Sequence, residues 1–354
     1  MRLTSHGLIV ALVASLCVVA CHRKPDPGRQ VDIRGSGASF PEPLYRQWIF
    51  KYHQQTGNQV TYRAIGSGKG IDAITMDAVD FAGSDSPMTD NELAQAGDIL
   101  HIPVTLGGVA VVYNFKNAPE DLRVGPETLA GIFMGHITSW NDDRVRADNP
   151  GMALPDVPIE VVYRSDRSGT TKLFTEYLSA TSSEFRRRYG PYMKVAWPRG
   201  QGADGNGGVA RQVHETDGAI GYVALNYARG MTLRIAQLRN KVGAWVTPSV
   251  DTVTAAAANA ADRMPSDLRA SIVYPDGAHS YPVAGFSFIL VRKDAVHRYK
   301  SQAVASFLLW GLTEGQRYAP INHYAELPPA VVAQAKQKIG SMTADGEPLR
   351  LAAQ

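Results

Sequence analysis

Cysteine is almost missing from this chain: its two, Cys17 and Cys21, both fall within the first 21 of 354 residues. A body without thiols forms no disulfide and holds no metal through thiolate, which excludes redox and zinc–cysteine chemistry there. Histidine patterns for metals are missing as well. The nine histidines, among them His101, His136 and His214, are scattered without i, i+4 pairs or an H-E-x-x-H. There is no G-x-S-x-G elbow and no serine in an S-x-x-K context, so the usual signals of an activated nucleophile are lacking. Charge is near balance: the formal net charge is +3 with no basic tail or stripe, which argues against nucleic acid as partner. Solenoid-period repeats are absent. The N-terminal apolar run, residues 8–20, is interrupted by Ser15 and is short for a membrane span.

What is present begins with that run. Preceded by Met1-Arg2, it has the shape of an export signal. It ends in Val18-Val19-Ala20-Cys21, which resembles a bacterial lipobox in which Cys21 is diacylated and becomes the mature N-terminus. Two acyl chains anchor stably where one is marginal. Residues 1–20 are therefore expected to be a lipoprotein signal peptide and 21–31 a lipid-anchored tether. The Pro/Gly-rich, polar stretch 22–29 suits such a spacer. The plain alternative is a non-lipidated signal cut elsewhere; either way the protein is expected outside the cytoplasm.

At this length the chain has room for two lobes with separate cores. Several segments repeat one plan, an apolar strand-like run, a Gly/Ser turn and an amphipathic helix, as expected of α/β lobes. Gly35-Ser36-Gly37-Ala38-Ser39-Phe40-Pro41 leads into a helix with Leu44, Trp48 and Tyr52 at i, i+4 and i+8, stopping near Gly57. Residues 60–65 read as a strand, then Gly66-Ser67-Gly68-Lys69-Gly70 as a turn into a helical run, 71–76. Residues 79–87 deliver Asp85 at a strand end, before Pro87. The run 286–291 suits a buried strand, 252–261 an Ala-rich helix, and the glycine-dense stretch 197–209, with Asp204 and Asn206, reads as packing and loops near a cleft.

One segment carries the most chemistry: Arg164-Ser165-Asp166-Arg167-Ser168-Gly169-Thr170-Thr171 lies between the apolar run 157–163 and the amphipathic run 173–178. A helix's first turn leaves N–H groups unpartnered at the positive end of its dipole, so Ser168, Gly169 and Thr170 form an anion cradle. Arg164 adds a positive fork. Ser39, with the N–H of Phe40, and Ser67 are short donors of the same kind, although any one of them alone reads more readily as an N-cap or turn residue. Asp166 reads either as the carboxylate orienting Arg164 or as a turn former. Ser67-Gly68-Lys69 is not a P-loop: Arg63 stands where its first Gly belongs and Gly70 where Ser or Thr would hold magnesium.

Together, residues 35–41, 65–68, 80–87, 164–170, 218–223 and 288–294, with Trp197-Pro198 and Gly205-Asn206-Gly207-Gly208-Val209, closely resemble the substrate-binding proteins of Pst-type phosphate ABC transporters. The likeness runs in order from about residue 33 to 349. It implies a type II periplasmic-binding-protein fold: two α/β lobes joined by crossover strands, with the ligand cleft between them. Residues 32–104 and 285–354 would form lobe one and 105–284 lobe two. The implied ligand is inorganic phosphate, held without catalysis, cofactor or metal by Ser39, Phe40, Ser67 and Asp85 from lobe one. Arg164, Ser168, Gly169 and Thr170 would bind from lobe two, with Asp166 pairing Arg164. The implied partners are the permease and ATPase subunits of an importer, and the implied state is a monomer. An exported phosphate sensor, or a phosphatase-like protein using the same anion site, is the competing reading. Asp85 would select the ligand: phosphate at neutral pH still carries a proton for a carboxylate to accept, and fully ionised sulfate does not. The chain leaves the commoner pattern at Arg167, where many relatives have Gly, at Gly68, where some have a second Ser, and at Ala203-Asp204.

Overall fold

The computed structural model describes residues 31–259 and 264–351. The expected signal peptide, Cys21 and the tether before Val31 lie outside the described residues, as do the last residues of the Ala-rich run. In chain order the strands are β1 (Asp32–Gly37), β2 (Gln59–Ala64), β3 (Phe81–Ser84), β4 (Ile99–Asn114), β5 (Arg123–Val124) and β6 (Glu160–Arg164). They continue with β7 (Gln201–Ala203), β8 (Ala219–Ala224), β9 (Arg234–Ile235), β10 (Gln237–Arg239), β11 (Trp245–Val246) and β12 (Ala284–Arg292).

The main sheet runs β2-β1-β3-β12-β4-β8-β6-β7, with β9 also on β4, while β11-β10-β5 form a small separate sheet. β4 joins the two halves. Up to Gly108 it pairs antiparallel with β12, and from Val109 onward it pairs antiparallel with β8. Strands β1, β2 and β3 are parallel in one half, and β6, β7 and β8 are parallel in the other. β12 lies between β3 and β4 and is buried along nearly its whole length, as the continuous run implied.

Local sequence accounts for the helices around the sheet. The helix Glu42–Thr56 starts with Pro41 beside an acidic first turn and ends at Gly57 in the left-handed conformation. It buries Leu44, Tyr45, Trp48 and Tyr52, so the expected stripe is real. Trp48 also donates through Nε1 to the Gly315 carbonyl at 2.8 Å, which satisfies its polar atom inside the core.

The second Gly/Ser turn differs from its sequence reading. Residues 67–70 do not precede the helix but form its first turn, Ser67–Thr75, with Gly66 (φ 93°) outside it. Packing decides this against propensity. A Cβ at Gly70 would stand 2.6 Å from the Gly37 Cα, so small residues let this turn lie against the end of β1.

Five loops that the sequence singled out leave the carboxyl ends of parallel strands: those after β1, β2, β3, β6 and β7. In open α/β sheets that edge is where ligands bind.

Candidate functional site

The loops converge. Ser39, Phe40, Ser67, Asp85, Arg164, Ser168 and Thr170 are all buried, and Gly169 touches residues of the opposite half. The Gly169 N–H donates to Ser67 Oγ at 3.1 Å across the two halves. Only glycine fits there: a Cβ would lie 2.6 Å from Ser67 Oγ and 2.7 Å from Asp85 Cβ.

Arg164 ends β6 and is 3% exposed. Its Nε and Nη2 donate to the two carboxylate oxygens of Asp166 at 2.7 and 2.6 Å, and Nη1 donates to Thr170 Oγ1 at 3.2 Å. The guanidinium has five N–H groups, and three are thereby engaged. Burial pushes the Asp166 carboxyl up, but its bonds and charge attraction to Arg164 outweigh that and hold it below the usual range. Tyr222 accepts from the Arg164 N–H at 3.3 Å, shares a 2.8 Å bond with Thr171 Oγ1, and stacks on Phe174. Tyr222 therefore fixes the Arg164 backbone, while Asp166 and Thr170 fix its guanidinium.

Ser168 is the N-cap of the helix Gly169–Thr181, its Oγ accepting from the Thr171 N–H at 3.1 Å. The Phe40 and Thr170 N–H groups are buried and have no acceptor among the described residues. Buried backbone donors are seldom left so.

Two residues complete the site that the sequence reading had not placed in it. Asn206, in the first turn of the helix Gly205–Glu215, is fully buried. Its backbone N–H and Nδ2 donate to Ser39 Oγ at 3.2 and 3.1 Å, and Nδ2 also donates to Thr170 Oγ1 at 3.1 Å. Its Oδ1 accepts from the Ala224 N–H at 2.8 Å. The oxygens of Ser39 and Thr170 are thus occupied as acceptors, which frees each hydroxyl to donate its proton elsewhere. The sequence signal was an asparagine among turn-forming glycines, in the stretch 205–209 that also carries the family resemblance. Ser287 is the second. It sits inside the run read as wholly apolar, on β12, and its hydroxyl donates to Asp85 Oδ1 at 2.8 Å. A lone polar residue in a buried strand was the available clue.

Asp85 follows β3 and is 2% exposed. Burial raises its pKa from 3.8 to about 7. Ser287, the Arg164 charge and Ser67 oppose the rise, and the Asp166 charge adds to it. The arrangement is one buried carboxyl group among many donors, which suits a small anion that brings a proton of its own.

A family model described as a PBP superfamily domain matches residues 24–314. The chain is 41% identical to the phosphate-binding protein PstS of Xylella fastidiosa (strain 9a5c) over 86% of this chain and 84% of that one. It is 41% identical to PstS of Pasteurella multocida (strain Pm70) over 90% and 93% of the two chains. Among solved structures, a high-affinity periplasmic phosphate-binding protein (PfluDING) with bound phosphate superimposes with a TM-score of 0.69 at 24% identity, covering 87% of this chain and 93% of that one. Phosphate-binding protein from Stenotrophomonas maltophilia gives 0.66 at 21% identity, over 87% and 93%. With loops gathered at parallel strand ends on either side of a shared crossing strand, and with these relatives, the chain has the type II periplasmic-binding-protein fold and belongs to the PstS family of phosphate-binding proteins.

Proposed function

We propose that this chain binds one inorganic phosphate ion outside the cytoplasm and delivers it to the permease and ATPase subunits of an ABC importer. The observation that carries this is the set of buried donors without an acceptor among the described residues, the Phe40 and Thr170 N–H groups and the remaining Arg164 N–H groups, together with the buried carboxyl of Asp85. Ser39, Ser67 and Thr170 add hydroxyls, and Gly169 and Ser168 shape the cradle at the helix start. Asp166 keeps the Arg164 fork in orientation.

Binding here is recognition without bond making. Residues 32–104 with 285–354, and 105–284, act as two lobes that close over the ion, and the closed form is what the permease reads. The described residues include no helix long and apolar enough to cross a membrane. Attachment is assigned to a lipid on Cys21, with residues 22–31 as spacer.

Calorimetry on protein beginning after Cys21, titrated with phosphate, arsenate and sulfate, tests the reading. Binding of phosphate, alone or with arsenate, supports it. Failure to bind any of the three overturns it.

A further inference from the structure

Arg167 leaves the loop after β6 and reaches across to two helices of the other half of the sheet. Its Nη1 meets both carboxylate oxygens of Asp72 at 2.9 and 3.0 Å, and its Nη2 meets Glu92 Oε1 at 3.1 Å. Asp72 lies on the helix Ser67–Thr75 and Glu92 on the helix Asp90–Ala96. Glu92 is already fixed. Its other oxygen closes a capping box with the Thr89 N–H at 2.8 Å and hydroxyl at 3.0 Å, so little side-chain freedom is lost in meeting Arg167.

The backbone joins in at the same point. The Arg167 carbonyl accepts from the Gly68 N–H at 3.0 Å. A Cβ at residue 68 would stand 2.4 Å from the Arg167 Cβ, an atom that cannot swing away like a side-chain end. The two places where this chain departs from the commoner pattern, Arg167 and Gly68, are therefore one physical unit: the bare glycine is what lets residue 167 lie against the opposite helix.

None of these groups belongs to the anion site itself. We propose that Arg167, Asp72, Glu92 and Gly68 form a latch that holds the two lobes closed and slows release of the bound ion. The proposal rests on the phosphate-binding reading for its kinetic consequence. Each contact joins opposite lobes, so it exists only in the closed form and shifts the equilibrium toward it. Arg167 and Asp72 are nearly half exposed, so salt weakens the latch far more than it weakens the buried Arg164–Asp166 pair.

The test measures phosphate release by stopped flow, and compactness by small-angle scattering, on the processed chain. Arg167→Ala should speed release about 3- to 20-fold, the range expected of two partly exposed ion pairs. Asp72→Asn with Glu92→Gln should do the same, and adding Arg167→Ala to that pair should change nothing more. Release should accelerate with salt in the parent and hardly at all in Arg167→Ala. Gly68→Ala should weaken binding in the parent and be tolerated when combined with Arg167→Gly. An unchanged release rate in Arg167→Ala, or equal salt dependence in both proteins, overturns the latch. Should the parent bind no phosphate, the functional reading fails and scattering judges the latch alone: a more extended Arg167→Ala supports it, and an identical envelope overturns it.

Discussion

The hydroxyl of Ser287 donates to Asp85 Oδ1 at 2.8 Å, joining residues 202 positions apart. Among the described residues Oδ2 receives a single long bond, 3.5 Å, from Ser67. The two carboxylate oxygens are therefore unequal, with Oδ2 the less engaged of the two. Register produces this: β12 pairs antiparallel with β3 so that Phe288 faces Ser84, which sets Ser287 next to the residue following the strand.

Asp85→Asn should retain some phosphate binding and lose most discrimination against sulfate. The amide can donate to a fully ionised oxygen, which the carboxylate, prevailing above about pH 7, cannot. A site built on a required hydrogen bond discriminates by roughly 10⁴ to 10⁵, so the loss should be large. Competitive titration in which the variant rejects sulfate as well as the parent would remove Asp85 from the selectivity role.

Ser287→Ala should push the Asp85 pKa above about 7, because the donor that lowers it is gone. Phosphate affinity should fall about tenfold, matching one lost bond to a charged group at roughly 1.5 kcal/mol. Carboxyl titration by NMR together with calorimetry checks both; unchanged values in each would make the contact incidental.

The raised Asp85 pKa also makes stability depend on pH. In the folded chain the group keeps its proton up to about 7, whereas the unfolded chain releases it near the ordinary 3.8. Stability from this residue is therefore present below about pH 4 and declines as pH rises to about 7. The total is on the order of 4 kcal/mol, about three units at roughly 1.4 kcal/mol each. Urea midpoints measured without phosphate across that window should fall, and the slope should flatten in Asp85→Asn.

Asp166→Ala leaves a buried guanidinium without its partner. Such losses cost about 3–5 kcal/mol, so both stability and phosphate affinity should drop. Arg164→Ala should weaken phosphate binding by about 10² to 10⁴, two charged hydrogen bonds at roughly 1.5–3 kcal/mol each. Denaturant melts paired with calorimetry separate the two effects, and an Arg164→Ala protein that binds as tightly as the parent would exclude the guanidinium as a ligand.

Asn206→Ala should reduce affinity about tenfold and stability by about 1–3 kcal/mol, since the Ala224 N–H is left buried without an acceptor. Asn206→Asp keeps the acceptor for the Ala224 N–H but loses the Nδ2 donor and adds a negative charge, so its affinity should stay low, which would identify the amide's donation to Ser39 and Thr170 as the cause. Equal affinity in Ala and parent would contradict it.

Much of the fold was legible because its signals are local. The stripe Leu44, Trp48 and Tyr52, the stop at Gly57 and the buried run on β12 each depend on neighbours a few residues away. The turn at residues 67–70 reads locally as preceding its helix, but close packing against Gly37, on another strand, makes it the helix's first turn. Asn206 and Ser287 were not placed in the site for a related reason. Each acts through partners far away in the chain, Ser39 across 167 positions and Asp85 across 202, and nothing beside them in sequence marks that.

The order of amino acids is enough to supply the chemistry on offer: short donors at strand-to-helix turns, one arginine with an aspartate two residues on, and a thiol-free body. These follow from residue type and spacing. Tertiary structure alone decided that the donors of five loops meet, that Asp85 is sealed in and its carboxyl raised to about 7, and that Arg167 faces Asp72 and Glu92. Burial and cross-sheet distance are properties of the folded chain, set by the register of strands from both ends of the sequence, and no local pattern encodes them.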